Sequence, residues 1–347
     1  MNRKFKHLVC FLLYVTGITP ILWRLLLRGK KKALILLYHR IAAPETTFDP
    51  WVPPAQFEKQ LQFLSRHFEV CTIQELMERM DQNKTGSKPY AAITFDDGYK
   101  DNFKAAYPLL KKYNLPAMFF LATGSIGTEE PIWTERVDQM FKKTRVRNLT
   151  LETLDRSKCF DLGKDKYDRM KVSYEIKNEM KQMPDPKRQV TFQELEAKMG
   201  FSGEETTDSG MLSWEDVRKM AADPLMEMGS HTVSHRMLAC LEKEEIRFEF
   251  EASKQKIEEE TGKPVRFVSY PGNSYNQAVE REASQSGYAA GFAVDHALCR
   301  FSKDRFALTR IHVEEGPFYA FLAEITQALG FLRSLINRQG PRKREGV

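Results

Sequence analysis

Ala91-Ala92-Ile93-Thr94-Phe95-Asp96-Asp97-Gly98-Tyr99 is a short apolar run that stops on two carboxylates and a glycine. A run of this length, bounded by a polar loop and a glycine turn, predicts a buried strand. Phe103, Ala106, Tyr107 and Leu110 then recur at helical spacing, and Pro116 precedes a second apolar run, Ala117 to Ala122. Strand, helix and strand in this rhythm imply parallel βα units. Upstream, Ala33 to Tyr38 reads as a buried strand, and Pro53 and Pro54 open a helix carrying Phe57, Leu61 and Leu64. Val70 to Thr72 predicts a strand, Ile73 to Met80 a helix, and Asp81 to Pro89 a loop. Downstream, Gly127 to Gly210 breaks the rhythm: it is polar and mostly helical in pattern, an insertion rather than a second catalytic domain. The alternation resumes with a helix over Trp214 to Met220. Strands follow over Leu225 to Gly229, Val265 to Tyr270, Ala290 to Val294 and Ala307 to Val313. The chain of 347 residues suits one α/β barrel.

Composition narrows the function. With 42% hydrophobic and 29% charged residues the chain can build a large core and is not disordered. A net charge of +6, with no basic–aromatic interleaving in the body, argues against nucleic acid as a partner. Cys10, Cys71, Cys159, Cys240 and Cys299 are odd in number and contain no CxxC, so reduced thiols are expected.

The N-terminus, residues 1–31, reads as a membrane segment. Arg3, Lys4 and Lys6 precede the uncharged stretch Leu8 to Trp23; Arg24 interrupts, and Leu25 to Leu27 bring the length near the roughly 20 residues of a spanning helix. The cationic cluster after it, Arg28 to Lys32, is the larger one, which favours a cytoplasmic body or a monotopic anchor. Residues 32–316 form the catalytic body. Residues 317–347 carry an amphipathic helix over Phe318 to Ile336 and a basic tail, Gln339 to Arg344.

Asp96 and Asp97 fall where a strand ends, the edge at which parallel α/β folds place their chemistry. One carboxylate there can ligate a cation while its neighbour acts as a base; a helix-capping pair is the plain alternative. Ser230-His231-Thr232-Val233-Ser234-His235 offers a second signal. Two histidines at i and i+4 share a helix face, so both can reach one metal. Two imidazoles and a carboxylate leave positions open for water and substrate.

These two segments resemble the first two motifs of the polysaccharide deacetylases, the NodB-homology family (carbohydrate esterase family 4). The resemblance runs over most of Lys32 to Glu315 outside the insertion. Leu37-Tyr38-His39-Arg40-Ile41 and the stretch from Trp51 to Leu64 are similar to the opening of the poly-N-acetylglucosamine-type exopolysaccharide deacetylases. The resemblance implies a distorted (β/α)7 barrel, Asp96 as general base, and Asp97, His231 and His235 as ligands of one divalent metal. Zinc suits that set, and cobalt or nickel also binds it. It further implies an oxyanion held by the metal with help from the Tyr99 backbone N–H. The partner is then an acetylated polysaccharide or lipid-linked glycan, and the products are acetate and a sugar amine. Family habit places such enzymes outside the cytoplasm, against the flanking charge.

The later motifs depart from the family. Where an arginine usually orients the base, this chain has Ser269, in Phe267-Val268-Ser269-Tyr270-Pro271-Gly272-Asn273. Tyr270 and Pro271 are candidates for shaping the substrate groove. In Leu308-Thr309-Arg310-Ile311-His312-Val313, Arg310 and His312 share one strand face, so Arg310 can orient Asp96 and His312 can protonate the leaving amine or support the site from behind. His39 follows the first strand and either lines the site or is structural. Asp295 and His296 are further candidates. Trp133 either stacks on a sugar or packs in a core. The competing functions are an O-acetyl or small-amide deacetylase and a catalytically silent sugar-binding module of exopolysaccharide assembly.

Overall fold

The computed structural model describes residues 3–17, 32–43, 48, 51–82, 86–154, 157–201, 210–295, 297–300 and 304–326. In chain order the strands are β1 (Lys32–Tyr38), β2 (Glu69–Val70), β3 (Tyr90–Phe95), β4 (Ala117–Leu121), β5 (Asn148–Leu151), β6 (Lys158–Asp161), β7 (Met226–Ser230), β8 (Phe267–Ser269), β9 (Ala290–Val294), β10 (Cys299–Arg300) and β11 (Leu308–His312). The helices are α1 (Arg3–Val15), α2 (Pro54–His67), α3 (Ile73–Asp81), α4 (Tyr107–Lys112), α5 (Trp133–Lys143), α6 (Lys166–Met180), α7 (Asp185–Met199), α8 (Trp214–Ala221), α9 (Lys243–Thr261), α10 (Gln277–Gln285) and α11 (Phe318–Ile325).

Strands β1, β3, β4, β7, β8, β9 and β11 pair in that order, each parallel to the next, and β11 returns to β1. The sheet is therefore a closed barrel of seven parallel strands whose C-terminal ends share one rim. β2 runs beside the start of β3, and β10 lies antiparallel to the start of β1. Thr72 caps α3 in a reciprocal arrangement with Glu75, so it opens a helix rather than extending β2.

Two packed layers hold the barrel. Inside it, Phe120 of β4 and Phe292 of β9 are not sheet neighbours, yet their rings meet at 5.5 Å across the lumen. Gly229 makes room for them: a Cβ there would lie 2.5 Å from the Phe120 ring. Ile73, Leu76, Met77 and Met80 of α3 join the same apolar cluster, and Glu227 at the start of β7 accepts the Ile73 and Gln74 amides at 2.6 and 3.1 Å. Outside the barrel, Leu34, Leu36, Tyr38, Phe95 and Phe119 pack with Phe57, Leu61 and Leu64 of α2 and Phe250 of α9. Each such side chain fully buried contributes roughly 1.5–3 kcal/mol.

The insertion has its own core, in which Val137, Phe141, Leu149, Leu151, Ile176 and Leu195 pack together. It is not purely helical: β5 and β6 form an antiparallel hairpin. Asn148 to Leu151 alternates exposed and buried residues, a period of two that is too short to stand out in a polar segment.

The described part of the N-terminus differs from the expected spanning segment. Helix α1 ends at Val15, and Gly17 turns out of it at φ +72°. Its Cys10 is buried with Ala323 of α11, while Leu8, Phe11, Leu12 and Val15 are exposed. Among the described residues no helix is long and apolar enough to cross a membrane. Residues 18–31 of that segment, and everything after Thr326 in the expected C-terminal helix and tail, lie outside the described residues. All five cysteines are free, with Cys10, Cys71 and Cys299 buried.

Candidate active site

The barrel rim gathers three segments far apart in sequence. The first is the turn after β3. Asp96 N–H donates to the Tyr38 carbonyl at 3.0 Å, which ties the turn to the end of β1. Asp97 and Gly98 then adopt φ +76° and +87°. The following helix starts only at Lys100 and includes a π-helical turn over Asn102–Ala106. The two carboxylates are thus not helix caps; the left-handed backbone at Asp97 is a strained conformation kept where side chains must be aimed.

The second segment corrects an expectation. His231 to His235 is a loop, not a helix, so the shared-face argument does not apply. Thr232 and His235 sit at φ +68° and +55°, and it is this irregular backbone that turns both imidazoles inward, with ring centroids 5.0 Å apart. The loop is held from behind. Glu249 of α9, itself buried, accepts the Val233 and Ser234 amides at 2.8 and 3.0 Å, and His235 N–H donates to Thr232 Oγ1 at 3.2 Å. Trp133 Nε1–H donates to the His235 carbonyl at 2.9 Å, which is where that tryptophan's polar edge goes.

Asp97 Oδ1 lies 3.2 Å from His231 Nε2 and 3.3 Å from His235 Nε2. The three potential ligand atoms fall within 4.8 Å of one another, and all three residues are buried. His231 Nδ1 is 2.8 Å from the Ser269 carbonyl; a carbonyl only accepts, so Nδ1 carries the hydrogen and Nε2 presents a lone pair toward Asp97. Asp97 Oδ1 is buried without a hydrogen-bond partner. An unpartnered buried carboxylate oxygen between two imidazole nitrogens is a donor set that fits a divalent cation of the zinc type.

Charges around these groups agree. Burial pushes the Asp97 carboxyl up, but the two imidazoles more than offset it and hold it well below the usual range. Burial disfavours charge on His231 as well, yet Asp96 and Asp97 outweigh it and raise its proton affinity. At His235 burial wins and lowers it.

Asp96 is separated from that set by its own partners. Arg310, fully buried in the lumen, grips it in bidentate fashion: Nη1 to Oδ1 and Nη2 to Oδ2, both 2.7 Å. Ser269 Oγ donates to Asp96 Oδ2 at 2.9 Å and accepts from Arg310 Nη2 at 2.7 Å. Arg310 Nη1 also donates to Thr94 Oγ1 at 3.2 Å, and the guanidinium stands 5.4 Å from the Phe120 ring. The serine thus occupies the place of the expected arginine, and the cation arrives from β11. Burial alone would raise the Asp96 carboxyl; the Arg310 charge lowers it instead, so it is ionised at neutral pH.

His39 and His312 form a pair, with His312 Nε2 to His39 Nδ1 at 3.1 Å and rings edge to face. The charge of His39 acts on both Asp96 and Asp97, and His312 Nδ1 lies 3.4 Å from Glu314 Oε1. His312 follows Arg310 by two residues on β11 and meets His39 at the end of β1, so both imidazoles stand at the rim. Asn102 Nδ2 donates to the His39 carbonyl at 2.8 Å, and Asp101 next to it accepts from Arg40 Nε and the Ile41 amide at 2.9 Å each.

Tyr270 and Pro271 are not brought to the site as expected. Tyr270 is 1% exposed, and its hydroxyl donates to the Phe306 carbonyl at 2.8 Å while its ring stacks on Tyr275; Pro271 is buried beside it. Neither side chain can line a groove, because the strand residue before them, Ser269, is the one that faces Asp96. The Tyr99 ring is buried under the Arg40 guanidinium, 4.4 Å away, which leaves only its backbone to face a substrate. Asp295 is exposed, and His296 lies outside the described residues. A groove of about 690 Å³ on the insertion, lined by Lys171, Tyr174, Met183 and Lys187 among others, includes none of these residues.

Thr94, Glu249 and the Trp133 N–H escaped sequence reasoning, and Ser269 was read only as a departure from the family pattern. Only Thr94 carried a signal, two residues before Asp96 and so on the same strand face. The others act across contacts between distant segments.

Comparison with known proteins agrees with this geometry. The model of the family described as polysaccharide deacetylase matches residues 83–291, more than half of the chain. The chain is 24% identical over 286 residues to the protein named Putative polysaccharide deacetylase YxkH of Bacillus subtilis (strain 168), covering 82% of this chain and 72% of that one. It is 38% identical over 80 residues to the poly-beta-1,6-N-acetyl-D-glucosamine N-deacetylase of Staphylococcus aureus (strain MSSA476), covering 22% of this chain and 27% of that protein. Among solved structures, the Streptococcus pyogenes deacetylase PplD in complex with acetate has a TM-score of 0.55 at 18% identity, covering 82% and 94% of the two chains. IcaB from Ammonifex degensii gives 0.53 at 16%, covering 86% and 98%. At those identities the structural matches establish a shared barrel. With more than half its length matched by the family, and with that barrel, this chain belongs to the polysaccharide deacetylases and is a carbohydrate deacetylase, a hydrolase.

Proposed function

We propose that the chain removes N-acetyl groups from amino sugars of an exopolysaccharide or another acetylated glycan, and that it does so with one divalent metal. The observation that carries this is the division of labour between adjacent carboxylates: Asp97 faces two imidazoles, and Asp96 is clamped away from them by Arg310. Asp97, His231 and His235 would hold the ion. A zinc-type ion bound there supplies Lewis acidity at the acetamide carbonyl and lowers the pKa of water.

The chain's own residues supply the rest. Asp96, ionised and fixed in orientation, takes the proton from the attacking water. The Tyr99 backbone N–H is the proposed donor to the developing oxyanion. His39, backed by His312, gives a proton to the leaving amine, and the products are acetate and a free amine. The N-acetylglucosamine polymer is favoured over O-acetyl substrates by the 80-residue match to an N-deacetylase. Residues 32–316 are the proposed catalytic unit. Attachment to a membrane or a lipid-linked glycan rests on residues 1–31 alone and is tested by fractionating the full chain with washed membranes.

The deciding experiment measures acetate released from N-acetylglucosamine oligomers and from O-acetylated xylan, with and without a chelator, alongside bound metal. We expect release from the oligomers that a chelator abolishes and zinc or cobalt restores. Release that survives complete removal of metal would overturn the metal reading. Release confined to the O-acetylated substrate would overturn the N-acetyl reading.

A further inference from the structure

The two imidazoles of the site are held in different ways. His231 has the arrangement usual for a metal-bound histidine, its second ring nitrogen donating to a carbonyl. His235 does not: its Nδ1 is buried with no hydrogen-bond partner. Among the described residues no hydrogen bond on the far side of that ring fixes its rotation. Its direction must be set through its backbone, which stands in the left-handed region at φ +55°.

The group gripping that backbone comes from the insertion. Trp133, the first residue of α5, donates Nε1–H to the His235 carbonyl at 2.9 Å. The Arg188 guanidinium of α7 stands 5.6 Å from the Trp133 ring. Arg188 pairs with Asp185 at the start of α7, and Asp185 in turn pairs at 2.6 Å with Arg236, the residue after His235. The contacts close a ring: His235, Trp133, Arg188, Asp185, Arg236 and back along the chain to His235. Arg188 and Asp185 are both buried, so the ion pair between them is little screened by solvent.

We propose that Trp133 is a positioning residue for the metal ligand His235, and that the insertion acts as a clamp setting the affinity and geometry of the metal site. The inference rests on the metal reading above. An imidazole without a second-nitrogen partner samples more orientations once its backbone anchor is cut, and each lost constraint weakens ligation. Partners of metal ligands are worth about 10–100-fold in affinity.

The test uses the full chain loaded with Co2+. Trp133→Phe keeps an aromatic ring near Arg188 and removes the N–H together with the five-membered ring that carries it. Affinity is read by competition with a chromophoric chelator, and geometry by the visible absorption bands of the bound cobalt. We expect Trp133→Phe to bind Co2+ about 10-fold more weakly or worse, with altered visible bands, while its far-ultraviolet circular dichroism is unchanged. Arg188→Gln, which releases the tryptophan without touching its N–H, should show a smaller weakening in the same direction. It serves as the measurement if Trp133→Phe does not fold. Wild-type affinity and spectrum in a folded Trp133→Phe, or in Arg188→Gln where Trp133→Phe cannot be made, would overturn the clamp while leaving the metal reading intact. A wild-type chain that binds no Co2+ would overturn both.

Discussion

Replacing Arg310 with methionine leaves Asp96 buried with its main counter-charge gone. Asp96 is 3% exposed and Arg310 0%, and two charge-assisted hydrogen bonds of 2.7 Å join them. Removing one partner of a buried ion pair costs about 3–5 kcal/mol, because the other charge stays in a poorly solvating site. Asp96→Asn is comparable, since it strands a guanidinium between Phe120 and Phe292. The double variant strands neither charge. Its destabilisation should therefore fall short of the sum of the two single losses by at least about 2 kcal/mol, a coupling well above the 0.3–0.5 kcal/mol seen for independent sites. Urea unfolding at pH 7 in excess chelator measures all four corners of this cycle and keeps metal out of the comparison. Arg310→Met should also lower acetate release by roughly 10²–10⁴, the contribution of a positioned base. Stability losses that add to within about 0.5 kcal/mol would refute the reasoning.

Three further outcomes are expected. Asp96→Asn should abolish acetate release with metal still bound, whereas His231→Ala should lose both; metal analysis beside activity separates the two, and a metal-free Asp96→Asn would reverse the assigned roles. His39→Phe should depress kcat more than His312→Phe, because His39 is the member whose charge reaches Asp96 and Asp97; the opposite order in steady-state kinetics would put the proton donor on His312. Burial pushes Glu227, at the closed end of the barrel, up to about 7. A carboxyl raised on folding contributes nothing below its unfolded value and costs stability as pH climbs from about 4.3 to about 7, by up to about 4 kcal/mol. Glu227→Gln removes that slope, and identical stability–pH curves for the two proteins would show that the burial argument fails there.

The apolar runs and the punctuation around them fixed the strands, because a buried parallel strand must be apolar on both faces over at least four or five residues. Lys32 to Tyr38, Tyr90 to Phe95 and Ala290 to Val294 were legible for that reason. The hairpin over Asn148–Leu151 and Lys158–Asp161 was not, since it is short and buries only one face. The Asp-Asp-Gly and His-xxx-His patterns identified the atoms of the site, but a helix was the wrong carrier for the histidines. The left-handed backbone at Thr232 and His235 is stabilised by Glu249 and Trp133, and a β-branched Thr has no local preference that encodes it.

What the sequence determined by itself was the inventory: a parallel barrel, a carboxylate pair at a strand's end, two histidines at ligand spacing, and Arg310 and His312 on one strand face. Alternation along a strand and apolar periodicity are local, so they survive reading in one dimension. Tertiary structure alone decided the partners. Closing the barrel brings β11 within reach of β3, so that an arginine 214 residues away grips Asp96, and folding the insertion back sets Trp133 against His235. Those contacts depend on chain closure and packing across the lumen, which no stretch of sequence carries.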